Sequence, residues 1–343
     1  MKLGIIGLPQ SGRSTIFSAL TGKRGEEAFK TSRKDQRITT VRVQDDRVDF
    51  LSGVYHPKKT TYANVEYLLP SEVLSGPENV NWGQARICDA LIHVVRNFRD
   101  AGGLDPKSEE DFRRLDDEMI LHDLMVAEKR IERIELDRKR GKKPDDDEHN
   151  LVKSCIELLE GGRPIRTNPE LAFSPLLKGF TFLSAKPQLV ILNNNDEDES
   201  LPDWKYEQEH IEILAVRGSL ELEISSLPEE EAQEFMVEYH IEKSALDRVI
   251  NRSYKIMELL SFFTVGRDEV RAWTIRSGTL APEAAGVVHS DMQKGFIRAE
   301  VISFEDFREC GSLKEAKGAG RVRLEGKEYI VRDGDIINFM FNV

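Results

Sequence analysis

The chain has 343 residues, 39% of them hydrophobic and 32% charged, with a formal net charge of −12. This length predicts two or three domains, and the acidic balance excludes indiscriminate binding of nucleic acid by the whole surface, although a local basic patch is compatible with it. The apolar runs are shorter than the roughly 18 residues that cross a bilayer, and the cysteines lack metal-ligand spacing. We therefore expect a cytoplasmic protein with reduced thiols and no membrane partner.

The N-terminal residues predict a strand, a glycine-bearing loop and a helix. An apolar run at 3–6 precedes the loop, which extends from Gly7 to Gly12, and apolar residues then recur on one helical face. Further strands are predicted at residues 65–69, 90–95, 188–192 and 211–216. Their continuously apolar composition is typical of parallel strands covered on both faces, which indicates an α/β fold class with a doubly wound, mostly parallel sheet.

Between the strands at 90–95 and 188–192, apolar residues recur every three or four positions amid dense charge. This heptad spacing predicts two helices, the first with a seam of Ile120, Leu124, Ala127, Ile131 and Ile134 and the second with Leu151, Cys155 and Leu158. Gly141 and Pro144 interrupt the pattern between them. We interpret residues 106–179 as an inserted antiparallel helical hairpin, which either projects from the α/β domain or packs along it.

The last third of the chain differs in character, because short strand-like runs alternate with glycine turns. This pattern predicts a small α+β domain at residues 259–343, in which Asp333-Gly334 forms a turn between two strands. The α/β domain is then split by the hairpin into residues 1–105 and 180–258.

Residues 7–14 match the phosphate-binding pattern G-x-x-x-x-G-K-S, except that arginine replaces lysine. In such a loop, backbone N–H groups turn inward around a phosphate, and the helix that follows adds the positive end of its dipole. Ser14 is the predicted Mg²⁺ ligand and residue 13 the cation for the β- and γ-phosphates. The predicted phosphate-binding residues are Gly7, Pro9, Gln10, Ser11, Gly12, Arg13, Ser14 and Thr15. The alternative is a glycine-rich turn that packs the sheet without a ligand.

A nucleotide site of this kind also needs a carboxylate for Mg²⁺ and a base-recognition loop, each of which follows a later strand. The strand at 65–69 leads into Pro70-Ser71-Glu72 without the Asp-x-x-Gly that holds Mg²⁺ through water; Glu72 either substitutes or is a surface-loop glutamate. After the strand at 188–192, Asn193, Asn194 and Asp196 are candidates for base recognition. Asn193 is also placed to brace the phosphate loop, and the alternative for this segment is a plain Asn/Asp-rich turn.

Long runs of the chain resemble the YchF/Obg-like ATPase family of translation-related P-loop proteins. The segments most similar to the family sequences are LSFFTVG at 260–266, EVRAWTIR at 269–276, AAGVVH at 284–289, GFIRAEVI at 295–302 and FNV at 341–343. The resemblance implies a C-terminal TGS domain, which is a ubiquitin-like β-grasp module, and a coiled coil for the inserted hairpin. It also implies ATP or GTP with Mg²⁺ as ligand, and the ribosome or ribosomal RNA as partner.

The departures from that family concern chemistry. Arg13 stands where the family has lysine, and residues 69–72 replace its Asp-x-Ala-Gly motif. Its Asn-x-x-Glu, associated with ATP preference, appears as Asn193-x-x-Asp196, and the serine-alanine that backs the base is reduced to Leu214-Ala215. Thr39 or Thr40 is the candidate second Mg²⁺ ligand from the switch region.

These motifs and their departures from the family are compatible with two alternative functions. The first is nucleotide binding with weak or absent hydrolysis in a ribosome-associated role, and the second is a nucleotide-free scaffold that acts through the hairpin and the TGS domain. A basic run at 138–143 marks the hairpin tip as a ribosome contact or, alternatively, as an ordinary solvated surface.

Overall fold

The computed structural model describes residues 1–22, 35–72, 80–100, 102–141, 145–201, 204, 211–239, 241 and 244–342. These residues form two compact units, one made of Met1–Thr40 with Glu66–Ile256 and the other of Val41–Val65 with Met257–Val343. The grouping of 41–65 with the C-terminal unit differs from the sequence prediction, which assigned that segment to the α/β domain. The other predicted domain boundaries stay predictions.

The elements of the first unit and of the segment within it follow in chain order. They are β1 Lys2–Ile6, α1 Arg13–Thr21, β2 Arg37–Arg42, α2 Asp46–Tyr55, β3 Lys59–Thr61, β4 Asn64–Leu69, α3 Trp82–Arg86, β5 Ala90–Asn97, α4 Ser108–Lys139, α5 Asp146–Glu160, a 3₁₀ turn Ile165–Thr167, α6 Pro169–Ala172, a second 3₁₀ turn Lys178–Phe180, β6 Gln188–Asn194, β7 Ile211–Val216, α7 Gly218–Ser226, α8 Glu229–Glu238 and α9 Ala245–Ile256. The C-terminal elements are β8 Leu259–Val265, β9 Glu269–Arg276, α10 Ala281–Val288, α11 Ser290–Lys294, β10 Phe296–Ser303, α12 Phe304–Cys310, α13 Leu313–Gly318, β11 Arg323–Glu325 and β12 Asp335–Phe341.

The sheet of the first unit has the strand order β2-β4-β1-β5-β6-β7. From β4 to β7 each neighbouring pair is parallel, so the carboxyl ends of these strands lie at one edge. On one face Ile6, Leu68 and Leu91 pack against Leu115 and Met119 of α4, and α1 packs against α7. The predicted fold class is confirmed: a doubly wound, mostly parallel sheet carries an inserted helical hairpin and is followed by a β-grasp unit. The described residues contain no helix long and apolar enough to cross a membrane.

The hairpin combines both arrangements left open by the sequence. The first third of α4 packs on the sheet, where Phe112 is buried with Val95, Val190 and Leu192. From Ile120 onward, the buried side chains of α4 instead pack with α5 and with the segment that follows it. In α5, Cys155 is buried as predicted, whereas Val152 and Leu159 are buried in place of the predicted seam residues Leu151 and Leu158, which are partly buried, so two of the three predicted positions are off by one residue.

The second sheet has the order β11-β10-β12-β8-β9-β3. β8 and β9 form an antiparallel pair, β12 lies parallel to β8, and the helix α10 buries three alanines against the apolar face of the sheet. β3, from the 41–65 segment, pairs in parallel with β9 as the edge strand. Asp333-Gly334 does form a turn, but the residues before it contribute only an isolated bridge at Ile330, so the predicted strand there is wrong.

Candidate functional site

The predicted phosphate loop lies at the carboxyl end of β1, in the middle of the parallel sheet. The N–H of Ser11 donates to the Leu8 carbonyl at 3.2 Å, which closes a turn, and the N–H of Ile16 donates to the Gly12 carbonyl at 2.9 Å, which starts α1. Pro9 and Gln10 are exposed at the top of the loop, and Thr15 is half-buried in the first turn of α1. The loop therefore presents a helix N-terminus at the sheet edge, the usual position of a phosphate site in such folds.

Both glycines of the loop occupy positions that a side chain cannot share. Gly12 has φ 93°, and a Cβ atom there would lie 2.0 Å from Asn193 Nδ2. A Cβ on Gly7 would lie 2.5 Å from the Val94 carbonyl oxygen. The close approach of the loop to β5 and β6 thus explains the glycine spacing in the sequence.

Asn193 joins the loop to the adjacent strand and helix. Its side-chain Nδ2 donates to the Ser11 carbonyl at 3.0 Å, and its Oδ1 accepts from the Gly218 N–H at 3.0 Å. Asn193 is buried at the end of β6, so both bonds are shielded from water. The bracing role expected of Asn193 is what its side chain performs here.

Arg13 points into the protein rather than toward solvent. Its Nη1 donates to the Gly7 carbonyl at 3.1 Å, and its Nη2 lies 3.3 Å from Glu72 Oε1. The Arg13 side chain is 8% exposed and the Glu72 side chain 36% exposed. Glu72 is therefore an ion-pair partner of the loop cation rather than an unattached surface glutamate.

Ser14, the predicted Mg²⁺ ligand, has a protein cation at its hydroxyl. Arg37 Nη2 donates to Ser14 Oγ at 3.2 Å, and the Arg37 guanidinium lies 5.5 Å from the centre of the Phe17 ring. Arg13, Ser14, Arg37 and Glu72 line a narrow cleft, together with Asp35, Leu69 and Pro70, that leaves no room for a water molecule between its walls.

These residues do not fit a magnesium ion. Mg²⁺ requires oxygen ligands at about 2.0–2.1 Å in octahedral geometry, and a guanidinium beside Ser14 Oγ repels a second cation. Within the described ranges, no group of three or more His, Cys, Asp or Glu side chains is arranged to hold a metal ion. Thr39 and Thr40 lie within β2 beyond Arg37. The prediction that Ser14 ligates Mg²⁺ is therefore not supported by this geometry.

The predicted base-recognition loop separates into one outward and one inward side chain. Asp196 is exposed, and its Oδ1 accepts from the Leu220 N–H at 3.2 Å near the start of α7. Asn194 is buried, accepts from Asn97 at 2.8 Å, and donates to the carbonyls of Asp198 and Ser200. Its amide thus holds the loop together, whereas the Asp196 carboxylate stays at the surface, and base recognition by either residue stays a prediction.

Leu214 and Ala215 do not follow the carboxyl end of β7, where a ligand-binding loop would lie. They lie within β7, where they pair with Ile191 and Leu192. The residue that follows the carboxyl end of β7 is Arg217. Its Nη2 lies 2.6 Å from Glu199, and its Nη1 donates to the Asp196 carbonyl at 3.4 Å. Contact of Leu214 and Ala215 with a base stays a prediction.

Comparison with known proteins extends over both units. A family model named YchF-GTPase_C, described as a protein of unknown function (DUF933), matches residues 259–342. The chain is 36% identical to the "Ribosome-binding ATPase YchF" of Bacillus subtilis (strain 168), with 100% of each chain covered. It is 37% identical to the protein of the same name from Haemophilus ducreyi, covering 100% of this chain and 99% of that one. The solved YchF GTPase of Schizosaccharomyces pombe matches with a TM-score of 0.82 at 27% identity, over 99% of this chain and 97% of that one.

Proposed function

The chain belongs to the YchF family, and from this membership we propose that it binds ATP or GTP at the loop between β1 and α1, with weak or absent hydrolysis. The observation that carries the proposal is the loop itself, in which Gly12 in a left-handed conformation opens α1 and Asn193 fixes the loop to β6. Such a loop aims backbone N–H groups and a helix dipole at one point, which suits a polyphosphate.

Weak hydrolysis is supported by the partners of the two residues nearest the phosphates. Arg13 is paired with Glu72, and Ser14 accepts a hydrogen bond from Arg37. Phosphoryl transfer depends on positioned charge around the γ-phosphate and on a metal-bridged leaving group. With Arg13 paired and Ser14 already bonded, the loop can still bind nucleotide through its backbone N–H groups. It lacks much of the free charge and the metal ligand that would accelerate hydrolysis.

Ribosome association is the second part of the proposal. The bacterial relatives carry ribosome binding in their name, and this chain presents Arg138, Lys139 and Arg140 as exposed side chains at the end of α4. Phosphate groups of RNA attract such clusters without sequence specificity. Lys142 and Lys143, the rest of the predicted basic run, lie outside the described residues. Ribosome association would place the protein in the cytoplasm.

A nucleotide-free scaffold is the alternative, and the closed cleft at Arg13, Arg37 and Glu72 favours it. In that case the Arg13–Glu72 pair is a permanent structural bond rather than one that opens for phosphate. Both functions use the same fold, so only binding separates them.

Equilibrium titration calorimetry with ATP and with GTP tests the proposal on the intact chain. We expect binding that Gly12→Val abolishes, because the new side chain would collide with Asn193, and phosphate release no faster than in that variant. Gly53→Ala is the matched control, since a Cβ at Gly53 meets nothing within 4 Å. Absence of binding by either nucleotide at millimolar concentration would establish the scaffold instead, and rapid turnover would contradict the proposed weak hydrolysis.

A further inference from the structure

We propose that this chain takes its nucleotide without Mg²⁺, and that Arg37 supplies positive charge at the place where related loops hold the metal. This inference rests on the proposed nucleotide binding and specifies the ligand as a metal-free nucleoside polyphosphate. The two arginines of the site then act as its cations.

The position of Arg37 carries the inference. In a phosphate loop of this type the hydroxyl at residue 14 is the protein's own ligand to the metal, next to the β- and γ-phosphate oxygens. Here that hydroxyl accepts a hydrogen bond from Arg37 Nη2 at 3.2 Å. Arg37 is part of β2 and its guanidinium lies over the Phe17 ring at 5.5 Å, so the strand and α1 together fix its location.

A guanidinium can do at this point part of what a metal does. It is planar, permanently charged and donates two parallel N–H bonds to phosphate oxygens, each stronger than a neutral hydrogen bond. Arg13 adds a second guanidinium that lines the same cleft. The Arg37 guanidinium, the Arg13 guanidinium once it leaves Glu72, and the N-terminus of α1 would then face the phosphates, where other loops use one lysine and one divalent ion.

The acidic side chains of the cleft define the competing possibility. Asp35 and Glu72 also line it, and carboxylates near a triphosphate would favour a bridging divalent ion. Glu72 is already paired with Arg13 at 3.3 Å, and both carboxylates share the cleft with two guanidinium groups. Arg13 thus compensates the charge of Glu72 with one of the protein's own cations, which lowers the attraction of the cleft for a metal ion.

The test measures dissociation constants of the intact protein for ATP and GTP by calorimetry, once with excess Mg²⁺ and once with excess chelator. Wild type is expected to bind equally well, or more tightly, in chelator. Arg37→Ala is expected to weaken metal-free binding about tenfold or more, the loss of one or two charge-assisted bonds. Arg42→Ala, on the same strand and stacked on Tyr62, is the matched control and should retain wild-type affinity.

The outcomes separate this inference from the proposed function. Binding that chelator weakens about threefold or more would show a metal-dependent site; it would overturn the inference and leave nucleotide binding intact. Metal-free affinity unchanged in Arg37→Ala would overturn it too. No binding in any condition would remove both. The comparison of wild type with and without chelator needs no variant. If Arg37→Ala unfolds, Arg37→Lys is the second variant to titrate.

Discussion

At the scale of the residue, the most informative side chain is Arg13, because its partners decide what the loop can do. A lysine would reach the phosphates as a compact point charge, whereas the guanidinium of Arg13 spans the distance from the Gly7 carbonyl to Glu72. The pair is partly exposed on the Glu72 side, so the bond contributes little to stability and is able to open. In the proposed function, Arg13 exchanges Glu72 for a phosphate group when nucleotide binds.

Glu72→Gln should therefore increase affinity for nucleotide. The change removes a negative charge that repels the terminal phosphate and releases Arg13 to bind it, which we expect to lower the dissociation constant about threefold to tenfold. Calorimetric titration would measure this, with Glu66→Gln, in the strand that precedes Glu72, as control because Glu66 pairs with Lys2 instead. An unchanged or weakened affinity would mean that Glu72 does not compete with phosphate.

His93 makes a second prediction at this scale, which concerns stability against pH. The side chain is 1% exposed and its ring lies 5.2 Å from that of Phe112. Burial, with a contribution from the charge of Arg166, lowers the pKa of His93 to about 3. Below the ordinary pKa of about 6.5, the unfolded chain binds a proton that the folded chain does not, so stability falls as pH falls from 6.5 toward 3.

His93→Gln should remove this component. Urea unfolding at pH 7, 6 and 5 is expected to show that wild type loses stability below pH 6.5, with this one group contributing about 1 kcal/mol per pH unit, and that the variant loses less. The exposed His56→Asn should keep the wild-type slope. Equal slopes for wild type and His93→Gln would show that His93 is protonated in the folded state.

At the scale of the element, the α4–α5 hairpin has a fixed base and a solvated end. At the base, Arg166 lies 2.6 Å from Asp116, with both side chains buried, and Asp123 accepts from the N–H groups of Leu183 and Ser184. Farther out, Arg130 and Glu148 join the two helices through bonds of 2.6 and 2.7 Å. A helical hairpin that is fixed at its base and joined farther out by an ion pair is suited to present its end to a partner.

Charge reversal at that end should weaken ribosome association. The double change Arg138→Glu with Lys139→Glu is expected to reduce the fraction of protein that co-sediments with ribosomes, and to reduce its sensitivity to salt, since fewer phosphates are neutralised. Lys129→Glu with Arg133→Glu applies the same charge change to exposed positions in the middle of α4. Equal losses in the two variants would indicate a general charge effect, and no loss in either would exclude the hairpin end as the contact.

At the scale of the whole molecule, the segment 41–65 is the unexpected member of the C-terminal unit. Within that unit β3 pairs with β9, Arg47 lies 2.7 Å from Asp333, and the rings of Phe50 and Phe304 are 5.5 Å apart. α2 packs against β8 and β9, and its residues Val48 and Leu51 are completely buried. The β-grasp unit is thus completed by residues far from it in sequence.

The fragment 257–343 should consequently be less stable than a fusion that adds 41–65 through a flexible linker. Burial of Val48 and Leu51 contributes about 1.5–3 kcal/mol each, so the melting temperature is expected to differ by about 10 °C or more. Calorimetry of both proteins would measure it. A fusion carrying Val48→Asp and Leu51→Asp has the same length and should melt like the short fragment; equal melting of all three would show that the segment adds nothing.

The sequence alone determined the features that depend on neighbours along the chain. Apolar runs predicted the positions of β5 and β6, which are buried on both faces, and also those of β4 and the half-buried β7. Glycine spacing predicted the loop between β1 and α1. The heptad pattern predicted the hairpin and Cys155 in its seam, but it chose Leu151 and Leu158 where Val152 and Leu159 are buried, because the register of two helices is set where they meet.

Only the tertiary structure decided which side chains meet. Glu72 is 59 residues from Arg13, and Arg37 is 23 residues from Ser14. Parallel strands bring their carboxyl ends together whatever lies between them in sequence, so the partners at that edge are fixed by strand order and not by spacing. The motif at 7–14 predicts Ser14 as a magnesium ligand, and only the folded chain shows that Arg37, at the start of β2, donates to that hydroxyl.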